Sequence, residues 1–173
     1  MIRIDKYATH LPVLAHIVGR IEISSILEIG GGPYSTPLLA AYSRLVGAKH
    51  LVLETDPAAA EAITRLCPGV EVELLADPAF LPEHVTTGNW SLVLIDGTPG
   101  EVRVPQALEL MERADLIVLH DSEPQAEPLY RYSTIAGHWK YRHDYTILTP
   151  HTMSLTNSET IWQTIKWPQT ETT

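Results

Sequence analysis

Five short apolar runs, each broken off by glycine or an acidic residue, constrain this chain more than any other feature. They cover residues 23–29, 50–53, 70–75, 92–95 and 116–119. The first closes in Gly30-Gly31-Gly32, the second in Glu54, the third in Ala76-Asp77-Pro78, the fourth in Asp96-Gly97 and the fifth in His120-Asp121. Each has the length and composition of a buried strand, and helical stretches lie between them. Residues 36–45 read as a helix, Pro57 followed by Ala58-Ala59-Ala60 is a helix start, and residues 104–113 place Ala107, Leu108 and Met111 on one face. Strand and helix in alternation predict βαβ units and a parallel sheet covered on both faces.

The flanks read differently. Residues 11–21 form an amphipathic pattern with Thr9 as candidate cap, and residues 125–135 suit a further helix. Residues 141–148 and 152–156 read as strands separated by only Thr149-Pro150-His151. That connection is too short for a parallel crossover, so an antiparallel hairpin is expected. The chain has 173 residues, which suits one domain spanning residues 1–173, with residues 1–22 as an N-terminal helical segment and residues 168–173 as a frayed tail.

Charge and cysteine content narrow the function. Twelve Lys and Arg stand against 21 Asp and Glu, a net charge of −9, which argues against a nucleic-acid partner because neutralising phosphates needs clustered cations. The single cysteine, Cys67, excludes an internal disulfide and a four-cysteine zinc site. No apolar run reaches the ~20 residues of a membrane span, and Met-Ile-Arg-Ile-Asp-Lys has no signal-peptide core. A cytoplasmic location without membrane association is the expectation.

In open α/β sheets ligands sit at the carboxyl ends of the strands. Here those ends carry a glycine turn and a series of carboxylates. Gly30 and Gly32 fit a nucleotide-binding turn, but Ser35 stands where a dinucleotide site wants its third glycine, and Pro33 and Pro37 lack the N–H groups that hold phosphate. Glu54 can accept from both hydroxyls of a ribose, or be a solvated glutamate. Asp77 can accept from adenine N6 or cap a turn. Asp96 and Asp121, with His120 beside them, can hold an amino group or a divalent cation, supply a base, or cap the loops that follow.

Taken together, these residues resemble a class I S-adenosylmethionine-dependent methyltransferase, over residues 24–123. Leu27-Glu28-Ile29-Gly30-Gly31-Gly32 is similar to the superfamily's first motif, Glu54 to its ribose-binding acid, and Ala76-Asp77-Pro78 to its adenine motif. Leu94-Ile95-Asp96-Gly97 and Val118-Leu119-His120-Asp121 resemble a branch acting on small molecules or sugars. Two departures concern the acceptor pocket. No histidine follows Asp96-Gly97 closely, and Arg113-Ala114-Asp115 replaces the usual glycine turn before the fifth strand.

The resemblance implies a Rossmann-like three-layer α/β/α sandwich, mostly parallel, in strand order 3-2-1-4-5-7-6 with the hairpin last. It implies S-adenosyl-L-methionine as cofactor and methyl transfer, by preference to oxygen, on a small-molecule acceptor. The cofactor set it implies is Glu28, Gly30, Gly31, Gly32, Ser35, Thr36, Glu54, Asp77 and Asp96, with His120, Asp96 and Asp121 as the catalytic set and His120 as base. A divalent metal at Asp96, His120 and Asp121 is a reading the spacing does not favour. Three alternatives stay open: lyase or aminopropyl chemistry on the same cofactor, a non-catalytic binding subunit, and a nicotinamide enzyme, which Ser35 disfavours. His138, His143 and His151 fall near the hairpin, where His143 with Asp144 is an alternative acceptor-site pair. Trp139, Trp162 and Trp167 with Tyr130, Tyr132, Tyr141 and Tyr145 make the C-terminal third aromatic, which suits hairpin packing or a homodimer interface.

Overall fold

The computed structural model describes residues 8–135, 137–145 and 152–166. Its sheet has seven strands in the order β3-β2-β1-β4-β5-β7-β6. These are β1 (Ser25–Ile29), β2 (Lys49–Glu54), β3 (Glu71–Leu74), β4 (Leu92–Ile95), β5 (Ile117–His120), β6 (Tyr141–Asp144) and β7 (Thr152–Thr156). The first five pair in parallel, and β7 runs antiparallel between β5 and β6. The expected order and the reversed hairpin are both present.

Pleat parity divides the interior. Leu27, Ile29, Leu51, Leu53, Val93, Ile95, Ile117 and Leu119 point to one face and pack with Ala107, Leu110, Tyr132 and Ile135. Ile26, Leu92, Leu94 and Val118 point to the other and pack with Val13, Leu14, Ile17, Leu39, Tyr145 and Ile165. Successive side chains of a strand alternate between faces, so each strand must be apolar on both. Full burial of a side chain such as Leu14 or Ile17 contributes about 1.5–3 kcal/mol.

The helices are α1 (Leu11–Val18), α2 (Ser35–Val46), α3 (Pro57–Leu66), α4 (Glu83–Thr86), α5 (Arg103–Glu109), α6 (Glu127–Tyr130) and α7 (Glu159–Ile165). Helix α2 stops at Gly47, whose φ of 74° is a left-handed cap. Helix α3 starts as its sequence predicts, with Pro57 in the first turn and the Asp56 carboxylate accepting from Ala58 N at 2.9 Å. Helix α7 is fixed by its cap and one apolar edge: Ser158 Oγ accepts from Ile161 N at 3.3 Å, and Ile161 and Ile165, one turn apart, pack on the core.

Two local expectations are corrected. Thr9 does not cap α1; the cap position is His10, without a side-chain cap bond, and the Thr9 hydroxyl lies 2.8 Å from His120 Nε2. Residues 125–135 do not form one helix. Arg131 turns left-handed (φ 55°) after α6, and a 3-10 turn at Tyr132–Ile135 follows. The break lets Tyr132 bury its ring while its hydroxyl donates to the carbonyl of His120 at 2.9 Å. The expected strand over residues 141–148 is described as far as Asp144. Residues 1–7, the hairpin connection with His151, Trp167 and residues 168–173 lie outside the described residues.

Candidate functional site

The glycine turn is built mainly by backbone crossing. Gly30 has φ 85°, donates its N–H to Leu53 O at 2.8 Å, and passes so close to Gly97 that a Cβ would stand 2.4 Å from the Gly97 backbone. A Cβ on Gly31 would meet Ile63 and Val52 at 2.5 and 2.6 Å. Gly32 alone faces open space, with nothing within 4 Å of its would-be Cβ. Its N–H donates to Thr36 Oγ1 at 3.0 Å, which ties the turn to the first residues of α2.

Glu28 shares its strand face with Ile26 and is fully buried. It accepts from the Ser35 hydroxyl, and its other oxygen lies 3.3 Å from His50 Nε2. It therefore holds the N-terminus of α2 from inside the fold, and Ser35 and Thr36 are buried with their hydroxyls engaged in the same support. Glu54 ends β2 at the rim. Its Oε1 accepts from Thr55 N at 2.7 Å and Asp56 N at 3.0 Å, while Oε2 has no protein hydrogen bond among the described residues. Asp77 caps its own turn, accepting from Ala79 N at 2.9 Å.

A cavity of about 480 Å³ opens along these strand ends. Gly30, Gly31, Gly32, Ser35, Glu54 and Asp96 line it together with His10, Tyr34, Asp56, Gly97 and Thr98. Glu28, Thr36 and Asp77 are not among its lining residues. A second cavity of about 640 Å³ shares Asp96 and Thr98 with it and adds Arg103, His120, Asp121, Glu123 and Tyr130, with Ala126 and Leu129 as an apolar side. Asp96, His120 and Asp121 are thus brought together at one wall. His143 lines neither cavity; its ring packs edge-on to Tyr145 at 4.4 Å and Trp162 at 5.6 Å. Tyr141 stacks on Trp162 at 5.6 Å, so the described aromatics of the hairpin pack on α7.

Two central residues carry no motif signal. Arg103, at the first position of α5, is buried and holds β4 and β5 together. Its Nε–H donates to Gly97 O at 2.8 Å, one terminal nitrogen donates to His120 O and Asp121 Oδ2 (3.2 and 3.1 Å), and the other donates to the carbonyl of Asp96 (3.1 Å) and forms an ion pair with its carboxylate (3.2 Å). Burial works against its charge, but Tyr132, Asp96 and Asp121 outweigh this and raise its pKa, so it stays a fixed cation. Tyr130 lies over the guanidinium at 4.5 Å and donates to Asp121 Oδ2 at 3.3 Å.

His10 is the second. It is 2% exposed, and its ring meets that of His120 edge-on at 4.6 Å. Neither of its ring nitrogens has a hydrogen-bond partner among the described residues. Burial above all, then the neighbouring His120, lowers its pKa to about 4 against the pull of Asp96 and Asp121, so it is neutral at pH 7. His120 is committed at both nitrogens, Nε2 to Thr9 and Nδ1 to Asp96 Oδ1 at 2.9 Å, with Asp121 Oδ1 at 3.4 Å. It bonds side chains, not the backbone partners of an ordinary buried histidine. Parity explains the meeting: positions 94, 96, 118 and 120 follow the sheet face that α1 covers.

No protein-family model matches the sequence, and no curated protein matches it. Solved structures do match in shape. The O-methyltransferase from Bacillus cereus in complex with SAH (S-adenosylhomocysteine) is similar at TM-score 0.59 and 18% identity, over 90% of this chain and 82% of that one. The human methyltransferase 10 domain containing protein is similar at TM-score 0.56 and 11% identity, over 91% and 86%. The fold is that of the class I S-adenosylmethionine-dependent methyltransferases. The plantazolicin methyltransferase BpumL, in complex with a pentazolic desmethylPZN analog and SAH, is similar at TM-score 0.50 and 16% identity. The match takes in 76% of this chain but only 50% of the BpumL chain, so this methyltransferase fold spans half of that relative's length. No helix among the described residues is long and apolar enough to cross a membrane.

Proposed function

We propose that this protein is an S-adenosylmethionine-dependent methyltransferase acting on an oxygen of a small-molecule acceptor. The observation that carries the reading is the half-committed carboxylate of Glu54 on the cavity above the glycine turn. Two backbone N–H groups fix one oxygen, the other has no protein hydrogen bond among the described residues, and the residue lines the cavity, which suits acceptance from a ribose diol. The SAH held by the Bacillus cereus and BpumL structures supports this choice of cofactor.

In this reading Gly30, Gly31 and Gly32 carry the methionine part, of which only Gly32 offers an unobstructed face. Ser35, Thr36 and Glu28 act by holding that turn, and Glu54 holds the ribose. Asp77 meets adenine by exchanging its turn bond for the ligand. Bound S-adenosylmethionine supplies an electrophilic methyl group. The chain's own contribution is to hold the acceptor in line at near-attack distance, in the adjoining cavity. Asp96, shared by both cavities, receives the acceptor's hydroxyl proton in place of His120, the base expected from the sequence, because both His120 nitrogens are engaged, Nε2 by Thr9 and Nδ1 by Asp96 itself. Asp121 is held from Arg103 and Tyr130 and shapes the far wall.

Titration calorimetry with S-adenosylmethionine and S-adenosylhomocysteine tests the reading. The wild type should bind both, and Glu54→Ala should weaken binding by about 1–3 kcal/mol, because the ribose loses a charged acceptor. No binding by the wild type would overturn it. Methylthioadenosine as product would replace methyl transfer with another chemistry on the same cofactor. A single domain over residues 1–173, a cytoplasmic location and a homodimer belong to the same proposal, and gel filtration addresses the last.

A further inference from the structure

We propose that His10, Asp96 and His120 form a binding site for one transition-metal ion of the zinc, cobalt or iron(II) type. One ligand atom from each lies within 4.8 Å of the others, the only such group of three His, Cys, Asp or Glu side chains among the described residues. His120 Nδ1 and Asp96 Oδ1 are 2.9 Å apart, so they need to open by only about 0.5 Å to reach the ~3.4 Å between tetrahedral ligands that each lie about 2.1 Å from a metal. His10 and Asp96 line the first cavity and Asp96 and His120 the second, so the ion would sit at their shared wall, and its binding does not depend on methyl transfer.

The second observation is independent of the cluster. His10 is 98% buried, being 2% exposed, yet neither ring nitrogen is hydrogen-bonded within the described residues. A buried imidazole without partners is costly, and most such groups are satisfied in folded proteins. A metal ion would satisfy one of the two nitrogens, and His10 has no hydrogen bond among the described residues to break in closing on the ion.

The surroundings suit coordination. If the His120 Nε2–H donates to Thr9 Oγ1, 2.8 Å away, Nδ1 is left with its lone pair facing Asp96. Fixing the tautomer through the remote nitrogen is what partners of metal-bound histidines do. Arg103 orients the Asp96 carboxylate through both its carbonyl and its Oδ1. Two imidazoles and one carboxylate favour zinc, cobalt or iron(II) over magnesium, which prefers oxygen. Three protein ligands would leave a position open toward the 640 Å³ cavity, which Asp96 and His120 both line.

The test is cobalt(II) and zinc binding by the full chain freed of metal with a chelator. The wild type should take up one equivalent, cobalt should show visible d–d absorption, and His10→Ala should bind at least tenfold more weakly. X-ray absorption of the zinc-loaded wild type should show two imidazole ligands and needs no variant. Circular dichroism of the same samples reports whether His10→Ala is folded, and calorimetry with S-adenosylhomocysteine on the wild type separates this result from the cofactor reading. Absence of binding, equal uptake by His10→Ala, or fewer than two imidazoles on zinc would each overturn the assignment.

Discussion

Arg103 binds Asp96 twice, donating to its main-chain carbonyl at 3.1 Å and pairing its charge with the carboxylate at 3.2 Å. One side chain thus fixes both the path of the chain leaving β4 and the orientation of the carboxylate at the boundary of the two cavities. Replacing it with methionine would leave Asp96 and Asp121 without their cation and the carbonyls of Gly97 and His120 short of a donor. Removing one partner from a buried ion pair costs about 3–5 kcal/mol. Arg103→Met should lose that much in urea unfolding. Arg103→Lys should recover part of it, since a lysine restores the charge without the planar fork.

Gly30 and Gly32 should separate folding from binding. Gly30→Ala would place a Cβ 2.4 Å from the Gly97 backbone at φ 85°. The strained dihedral alone costs about 1–3 kcal/mol, so its unfolding midpoint should fall clearly. Gly32→Ala meets nothing within 4 Å and should stay within about 0.5 kcal/mol of wild-type stability. Its methyl group nevertheless enters the first cavity, so S-adenosylhomocysteine affinity should drop by about 1–3 kcal/mol, the usual cost of overpacking. Equal affinity would show that the ligand does not pass over Gly32.

The contrast between the two glycines shows what a sequence can disclose. Strand runs such as residues 92–95 are legible because a doubly covered parallel strand must be apolar throughout, and the acids that follow mark the rim. Glu28 and Glu54 look alike in sequence, each an acid on the first or second strand. Pleat parity sends Glu28 inward to Ser35 and His50, whereas Glu54 ends its strand at the cavity. Arg103 and His10 are illegible for a different reason. His10 meets His120 from the far end of the chain, as Thr9 does across 111 residues. Arg103 takes its meaning from joining the ends of two strands, Asp96 and Gly97 on one side and His120 and Asp121 on the other. Helix α7 is only seven residues long, with a cap and the pair Ile161 and Ile165 to announce it.

Tyr145 makes stability sensitive to alkali. It is buried beside Ser154 and Ile165, and burial pushes its pKa up to about 12 from 10, against a smaller lowering by the Ser154 hydroxyl. The folded state therefore holds the phenolic proton more tightly than the unfolded chain. The stabilisation is full below pH 10 and is lost as the pH rises through 10 toward 12. The gap is worth about 2–3 kcal/mol, and burial shifts Tyr130 and Tyr132 in the same direction. Urea unfolding at pH 9, 10 and 11 should show the loss, and Tyr145→Phe should flatten part of it. A flat profile in the wild type would contradict the burial of these phenols.

The glycine turn should depend on a residue it does not touch. Glu28 is fully buried, with the Ser35 hydroxyl on one oxygen and His50 Nε2 near the other. Ser35→Ala removes a donor from a buried carboxylate, which costs about 1.5–3 kcal/mol. Glu28→Gln changes the same contact from the other side, so the two effects should not add. A double-mutant cycle by urea unfolding should give a coupling of about 0.5–3 kcal/mol, as for residues in direct contact. The same cycle read by S-adenosylhomocysteine affinity distinguishes support from direct contact. If Ser35 acts only by fixing the start of α2, Ser35→Ala and Glu28→Gln should each weaken binding, and their combination no more than either alone. If Ser35→Ala weakens binding while Glu28→Gln leaves it unchanged, the hydroxyl contacts the ligand itself and the buried pair is only a resting position.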